Sequence, residues 1–524
     1  MNSWTRRRML RAALGAGGVA LLPLPAARQP AFGQTASALL RAPRRALVIG
    51  NSSYKVSPLK NPANDARAMG EALKQIGFDV TLAIDAPRAG MLAAAREYTD
   101  ALERAKPVGL FYYAGHGMQL AWRNYLLPVD AAAERMEDVQ KSCLDVNTVI
   151  EGISRAANPM NLIILDACRN NPFGRDFRVE QKGLSQLDAP PGTFLAYATS
   201  PGNVASDGAG ANGLYTENLL REMRVPEAKI EDVFKRVRLA VRRTSNGAQV
   251  PWESTSLEDD FWFIPPKALK QLSDEELERE FKEESAAWQR AEAALDPAPL
   301  EAYLKRYPSG RFAELAQANL DALLAAQGEK KVDVVSPAAN PYSKGFARAD
   351  TDYRIGDTYS YIIADLYSKE VQNTVLLTVT KLTPREVFYN EGKAVTDRLG
   401  NPRLIMGSIN ISGNQSNPAE FQLGRQWSTR YTTTGTPIGE LTTELNLRVV
   451  ARESVTVPAG TFDTFRIDAH GVRFGGKGPL QIRSKFWFAP GKVRRFVARE
   501  EVRSAGRGKV IFAERQELVY FKQA

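Results

Sequence analysis

Val108-Gly109-Leu110-Phe111-Tyr112-Tyr113-Ala114-Gly115-His116-Gly117 is an apolar run that ends in a histidine set between glycines. Farther along, Asn161-Leu162-Ile163-Ile164-Leu165-Asp166-Ala167-Cys168-Arg169 repeats the arrangement with a cysteine at its end. Runs that are apolar throughout are what strands covered on both faces of a parallel sheet require, because neither face meets water. Ala46-Leu47-Val48-Ile49-Gly50, Asp79 to Ile84 and Thr193 to Ala198 have the same character, and helical patterns at 64–75, 87–105, 145–156 and 214–224 lie between them. This alternation predicts an α/β sheet sandwiched by helices over residues 43–265. In such sheets reactive groups gather at the carboxyl ends of strands, and both His116 and Cys168 fall there.

The whole chain of 524 residues holds two Cys and two His, which excludes zinc fingers, haem arrays and disulfide-dense scaffolds. Its length predicts about three domains, and 44% hydrophobic residues exclude a wholly disordered chain. Two of the four rare residues stand at equivalent strand ends of one sheet, and a thiol with an imidazole is what nucleophilic acyl transfer needs. Taken singly, each motif has a plainer reading: a lone Cys as a small buried apolar residue, a His between glycines as part of a turn. The shared strand context favours the chemical reading. Cys143 is expected to be structural, just before a helix, against the alternative that it pairs with Cys168 in an oxidising compartment and silences it. His470, after Ile467-Asp468-Ala469, is expected to be a strand or turn residue.

Outward from the sheet, residues 1–33 combine a basic start, an apolar run from Ala12 to Leu24 and small residues before Gln34, the form of an export signal. Thr5-Arg6-Arg7-Arg8-Met9-Leu10 has the twin-arginine pattern, so a periplasmic or secreted location is expected. The alternative is an uncleaved membrane anchor, for which the apolar run is short. No later segment approaches a membrane-spanning length, and the protein without its signal is expected to be soluble. The net charge of +10 then means less than it first suggests: the five Arg of the leader leave 64 basic against 59 acidic residues, a net of +5. Those charges are dispersed, without interleaved aromatics, so no nucleic-acid partner is expected.

On the carboxyl side, Ser273-Asp274-Glu275-Glu276 has capping-box spacing, and apolar residues at helical spacing on either side of Pro308-Ser309-Gly310 predict a helical hairpin over 270–326. Leu300 to Pro308 resembles one unit of a tetratricopeptide-like repeat, with a plain docking or spacer hairpin as the alternative. Residues 327–344 are polar and read as a linker. Residues 345–524 turn to period-2 patterns broken by Gly, Pro and Asn, predicting an all-β domain, a sandwich or open barrel of unassigned role. Residues 270–524 are candidate surfaces for protein partners.

The region around the two strand ends resembles the caspase-like cysteine peptidases, and more closely their bacterial and metacaspase relatives. Tyr113-Ala114-Gly115-His116-Gly117 matches that family's Tyr-Ser-Gly-His-Gly, Asp166-Ala167-Cys168 its Asp-Ser-Cys, and Asn64-Asp65-Ala66 its Asn-Asp-Ala. The likeness continues through Ser200-Pro201-Gly202 and Trp252. It implies a cysteine endopeptidase working by a dyad: Cys168 attacks a peptide carbonyl, His116 transfers the protons, and the backbone amides of Gly117 and Cys168 receive the oxyanion. It also implies that Asp65 and Asp166 line the pocket for the residue before the scissile bond, where two carboxylates favour Arg or Lys. The competing readings are a helix N-terminal carboxylate for Asp65 and a strand-end acceptor for Asp166.

Ala114 departs from the family's Ser and removes a pocket hydroxyl. Asp130 and Asp145 fall near positions that bind calcium in the family, but two scattered carboxylates fall short of the six to eight oxygens calcium prefers, so no metal or cofactor is expected. Arg175 to Lys182 is polar and basic, and an active enzyme is expected to nick itself there. Protein or peptide substrates follow from this reading. The alternative is a catalytically silent caspase-fold scaffold, which has no reason to keep both His116 and Cys168.

Overall fold

The apolar runs become the strands of one sheet: β1 (Arg44–Gly50), β2 (Asp79–Ile84), β3 (Val108–Leu120), β4 (Arg123–Leu126), β5 (Leu144–Asp145), β6 (Met160–Cys168), β7 (Thr193–Tyr197) and β8 (Trp252–Thr255). The computed structural model describes residues 39–168, 173, 183–201, 203, 210–257, 259–267, 273–329, 340–476 and 478–523. The leader expected over 1–33, the segment expected to be nicked at 175–182, and Gly202 lie outside the described residues.

The strand order is β2-β1-β3-β6-β7-β8. β2, β1, β3, β6 and β7 run parallel, while β8 pairs antiparallel with β7 at the edge. Chain order reverses between β1 and β3, so the crevice of this sheet opens at the carboxyl ends of β1, β3 and β6. β3 runs on beyond the sheet to pair antiparallel with β4, and β4 with β5.

Among the described residues six helices belong to this part: α1 (Pro62–Gln75), α2 (Arg88–Ala105), α3 (Met136–Ser142), α4 (Val146–Ala156), α5 (Leu214–Glu222) and α6 (Ile230–Thr244). The pleat sends alternate side chains to opposite faces, which divides the core in two. Val48, Tyr112, Leu162 and Ile164 pack with Met69 and Leu73 of α1, Leu219 of α5 and Val233 and Val237 of α6. Leu47, Phe111, Tyr113, Ile163 and Leu165 pack with Met91, Tyr98 and Leu102 of α2 and Val149 and Ile153 of α4.

The expected two-helix hairpin is instead three helices, α7 (Asp274–Ala293), α8 (Pro297–Arg306) and α9 (Ala313–Ala326). The capping box forms: Ser273 Oγ accepts from Glu276 N at 3.2 Å, and Glu276 Oε2 accepts from Ser273 N at 2.9 Å. The extra helix has its own start signal, Asp296 Oδ1 accepting from Ala298 N at 3.0 Å with Pro297 at the first position. Leu300, Tyr303 and Leu304 of α8 close a core with Trp288 and Phe312.

The all-β domain is a closed barrel of twelve strands, not a sandwich or an open barrel. Closure comes from the pairing of Thr358–Asp365 with Lys509–Lys522, which leaves no free edge. Tyr359, Tyr361, Tyr389 and Trp487 are among the side chains of its buried core. His470 lies exposed on the barrel strand Gly460–Gly475.

Ion pairs and backbone bonds join the parts. Arg238 of α6 reaches Glu253 of β8 at 3.0 Å and Glu420 at 3.3 Å, and Glu420 meets Arg425 at 3.1 Å. Of the polar stretch 327–344, residues 330–339 lie outside the described residues, whereas 340–344 are bonded to the segment that leads into β7. Asn340 Nδ2 donates to Gln186 O at 2.7 Å, Asp188 N to Tyr342 O at 3.0 Å, and Lys344 N to Asp188 Oδ2 at 2.6 Å. No helix of the described residues is long and apolar enough to cross a membrane.

Candidate functional site

β3 and β6 lie side by side in parallel register, with His116 the backbone partner of Cys168. The two residues singled out in the sequence therefore stand across from each other at the mouth of the crevice. Cys168 is the last residue of its strand. His116 is fully buried.

The loop after β1 holds the histidine. His116 Nε2 lies 2.7 Å from the carbonyl oxygen of Ser57, and a carbonyl only accepts, so the proton sits on Nε2 and the neutral ring presents Nδ1 as its basic nitrogen. The Tyr54 ring packs on the imidazole with centroids 4.5 Å apart, and the Tyr54 hydroxyl accepts from His116 N at 3.0 Å. That loop is itself anchored. Asn51 Nδ2 donates to Leu127 O at 2.9 Å and Asn51 Oδ1 accepts from Ala86 N at 3.0 Å. Asp85 Oδ1 accepts from the backbone of Ser52 at 2.7 Å and Ser53 at 2.9 Å. Burial works to raise the Asp85 pKa, but these two bonds and the Ser53 hydroxyl bring it below the usual carboxylate range.

The glycines that flank His116 have different reasons to be there. Gly115 has φ +152°, and a Cβ on it would lie 2.6 Å from both the Tyr113 and the Tyr54 hydroxyl oxygens. A Cβ on Gly117 would lie 2.9 Å from the Cβ of Ala167. Gly117 is thus required by the close approach of β3 to β6, a packing reason beyond the oxyanion approach that the family likeness implies. Leu127 N donates to His116 O at 3.0 Å, and alternation along the antiparallel β3–β4 pair turns the Gly117 N–H away from β4, toward the end of β6.

The two aspartates converge on the start of α5. Asp65, in the first turn of α1, accepts at Oδ1 from Asn212 Nδ2 at 2.8 Å and from Gly213 N at 2.9 Å. Asp166, on β6, accepts at Oδ2 from Thr216 Oγ1 at 2.6 Å. Both lie near Tyr112: burial, then the carboxylates of Asp166 and Asp65, push that phenol well above its usual range. Ala114 adds its carbonyl, which accepts from Asn51 N at 2.9 Å. Ser200 Oγ donates to Val250 O at 2.8 Å, and Trp252 meets Phe346 edge to face at 4.2 Å, at the junction with the barrel.

Asp130 and Asp145 are used by the fold. Asp130 Oδ1 accepts from Arg88 N at 2.8 Å; Asp145 caps α4 through Asn147 N at 2.9 Å and pairs with Arg123 at 2.6 Å. Among the described residues no group of three or more His, Cys, Asp or Glu is placed to hold a metal. Cys143 is a free, buried thiol at the end of α3, and burial pushes its pKa up to about 12, which disfavours the thiolate that a nucleophile needs.

Sequence reasoning missed Asn51, Tyr54, Ser57, Asn212 and Thr216. The polar run Asn51-Ser52-Ser53-Tyr54 directly after an apolar strand was the visible signal for the first two.

Comparison with known proteins agrees with this geometry. The caspase domain model of the C14 peptidases matches residues 43–262. Mucosa-associated lymphoid tissue lymphoma translocation protein 1 of Homo sapiens is 28% identical over 201 residues, 38% of this chain and 23% of that protein. Its homolog of Mus musculus is 29% identical over 189 residues, 35% of this chain and 22% of that protein. The chain thus spans less than a quarter of the length of these relatives. Residues 43–262 thus match a caspase domain in sequence, and their sheet order and strand-end residues give this part of the chain a caspase-like α/β fold.

Proposed function

We propose that the caspase domain is a cysteine endopeptidase that cuts after Arg or Lys. The observation that carries this is the register of His116 against Cys168 at adjacent strand ends, with the imidazole oriented by the Ser57 carbonyl. A nucleophile beside a base that a third group orients is the arrangement covalent acyl transfer uses.

The Cys168 thiol gives its proton to Nδ1 of His116, its thiolate attacks the scissile carbonyl carbon, and the C=O π pair moves onto oxygen, toward the N–H groups of Gly117 and Cys168. As the C–N bond breaks, protonated His116 gives a proton to the leaving amine, and a thioester remains on Cys168. His116, now neutral, takes a proton from water. The hydroxide oxygen adds to the thioester carbon, and the C–S bond breaks to release the acid and restore the thiolate. Asp65 and Asp166 receive the cationic side chain of the residue before the cut. No metal or cofactor enters these steps.

The leader over 1–33 assigns the enzyme to the periplasm or the outside of the cell, acting on protein or peptide substrates, with residues 270–524 offering surfaces to protein partners. The test is turnover of fluorogenic peptides that differ only in Arg, Lys or Asp before the cut, with Cys168→Ala as control. Cleavage after Arg and Lys that is lost in Cys168→Ala is expected. No turnover under reducing conditions, with or without calcium, overturns the enzyme reading in favour of a silent scaffold; preference for Asp overturns the pocket alone.

A further inference from the structure

The two pocket carboxylates come from different elements, α1 and β6, yet both are bonded to one turn of chain, residues 212–216 at the start of α5. The proton positions in that turn can be worked out. Thr216 has one hydroxyl proton, and a carboxylate only accepts, so the 2.6 Å contact with Asp166 Oδ2 uses it. The second 2.6 Å contact, between Thr216 Oγ1 and the Tyr112 hydroxyl, is therefore donated by Tyr112. The relay runs Tyr112 to Thr216 to Asp166, with Tyr112 and Thr216 fully buried. Its last bond ends on a carboxylate, the strong kind of hydrogen bond, and it fixes the rotamer of Asp166.

We infer that the first turn of α5 sets substrate charge selectivity, with Thr216 the positioning residue that holds Asp166, and Asn212 the one that holds Asp65, to receive a guanidinium or ammonium group. This rests on the reading of Asp65 and Asp166 as the substrate pocket. Neither residue touches the scissile bond. Their effect falls on binding of the cationic side chain, and a substrate without that charge does not feel it.

The test compares Thr216→Val, Thr216→Ser and Asn212→Ala with wild type on two peptides, one with arginine before the cut and one with its neutral analogue citrulline. In Thr216→Val, KM for the arginine peptide is expected to rise about 10-fold or more, the size of a lost hydrogen bond to a charged group. kcat is expected to hold within about 3-fold, since the group lost binds substrate without entering the bond-breaking step. Citrulline turnover should be unchanged, and the acid limb of kcat/KM for arginine should move to higher pH, because the ionised form of Asp166 has lost a donor. Thr216→Ser should restore all three. Asn212→Ala, which leaves the relay intact, should also raise KM for arginine alone, and it carries the test if Thr216→Val does not fold. Equal losses on both peptides, or an unchanged arginine-to-citrulline ratio in both Thr216→Val and Asn212→Ala, overturn the inference. A wild-type enzyme with no preference for arginine over citrulline overturns the pocket reading beneath it.

Discussion

Removing the Tyr54 hydroxyl should harm the site more than removing the Tyr113 hydroxyl, although both are buried and lie 3.2 Å apart. The reason is a count of protons. Tyr113 Oη lies 2.7 Å from His116 O and 3.0 Å from Leu127 O, and Tyr54 Oη lies 3.1 Å from Leu127 O. Each hydroxyl has one proton; the shorter contact gives that of Tyr113 to His116 O, and that of Tyr54 then goes to Leu127 O. Tyr54 Oη also accepts from His116 N at 3.0 Å. In Tyr54→Phe the His116 N–H loses this acceptor in a buried site, which costs about 1–3 kcal/mol. In Tyr113→Phe the His116 carbonyl keeps the bond from Leu127 N at 3.0 Å, so the cost is that of one ordinary bond, about 0.5–1.5 kcal/mol. Phe keeps the ring on the imidazole in the first case, so a fall in kcat/KM there reports a displaced His116 backbone. Urea unfolding and kcat/KM on an arginine peptide would be measured for both variants and the double variant. The expected result is a larger loss for Tyr54→Phe on both axes, with non-additive losses in the double variant because the two hydroxyls lie 3.2 Å apart and both bond the His116 backbone. Equal losses, or full activity in Tyr54→Phe, would refute the proton assignment and with it the backbone support given to His116.

Glu420 carries a second expectation: burial works to raise its pKa, but Arg238, Arg425 and Arg348 overcome this and hold it at about 2, against 4.5 for a free Glu. A depressed acid stabilises the fold above its unfolded pKa and loses that contribution as pH falls toward 2, so Glu420→Gln should cost about 3 kcal/mol at neutral pH and progressively less in acid; a deficit that does not shrink on acidification in urea unfolding refutes it. Cys143 should resist alkylation in the folded protein, since its thiol is pushed up to about 12, so a thiol reagent should modify Cys168 alone until urea exposes the second; equal rates at both thiols under native conditions refute its burial. Gly115→Ala places a Cβ against two tyrosine hydroxyls at a backbone angle that L-residues rarely adopt, and should cost about 1–3 kcal/mol together with most of the turnover. A fully active Gly115→Ala is incompatible with that geometry.

The central strands were legible because burial on both faces writes itself as a continuous apolar run, and His116 and Cys168 were legible because few residues of their kind exist in the chain. β8 was missed: Trp252-Glu253-Ser254-Thr255 is four residues long, and a buried serine takes the place where an apolar residue would mark the inner face. α6 was missed even though Ile230, Val233, Phe234, Val237 and Val241 follow helical spacing, because the charged residues between them dominate its composition. Ser57 could not be marked by its side chain, since its contribution is a carbonyl that any residue would supply. Asp65 stands in the first turn of α1, as the helix N-terminal reading has it, and its bond to the start of α5 had no signal in the sequence because the partner is a backbone N–H 148 residues away. Residues 340–344 looked like a linker because no apolar pattern holds them; hydrogen bonds to Gln186 and Asp188 do so instead.

Those last bonds define how the accessory parts meet the candidate site. His116, the Ser57 carbonyl, the two aspartates and α5 all belong to the caspase domain, and none of the barrel contacts described above falls on them. The barrel side reaches the domain at several places, among them Gln426 Nε2 donating to Leu257 O at 3.0 Å, and two of them are linked to the strands that carry His116 and Cys168. One is β8, where Arg238 and Glu253 join Glu420 and Trp252 packs on Phe346; β8 pairs with β7, and β7 with β6. The other is Ser185 to Asp188, on the stretch of chain that runs from Cys168 to β7. Ser185 is held from the caspase side by Asn124, whose Nδ2 donates to Ser185 O at 2.9 Å and whose Oδ1 accepts from Ser185 N at 2.6 Å. Asn124 pairs in register with Gln119, three residues beyond His116 on β3. A displacement of the barrel therefore reaches the chemistry along two physical routes, β8–β7–β6 to Cys168 and Ser185–Asn124–β3 to His116. Both end on His116 and Cys168, and a further path runs from Glu420 through Arg238 to α6, which shares a core with Leu219 of α5, the helix whose Thr216 holds Asp166, so a displacement of the barrel bears on the aspartates as well as on the strand ends.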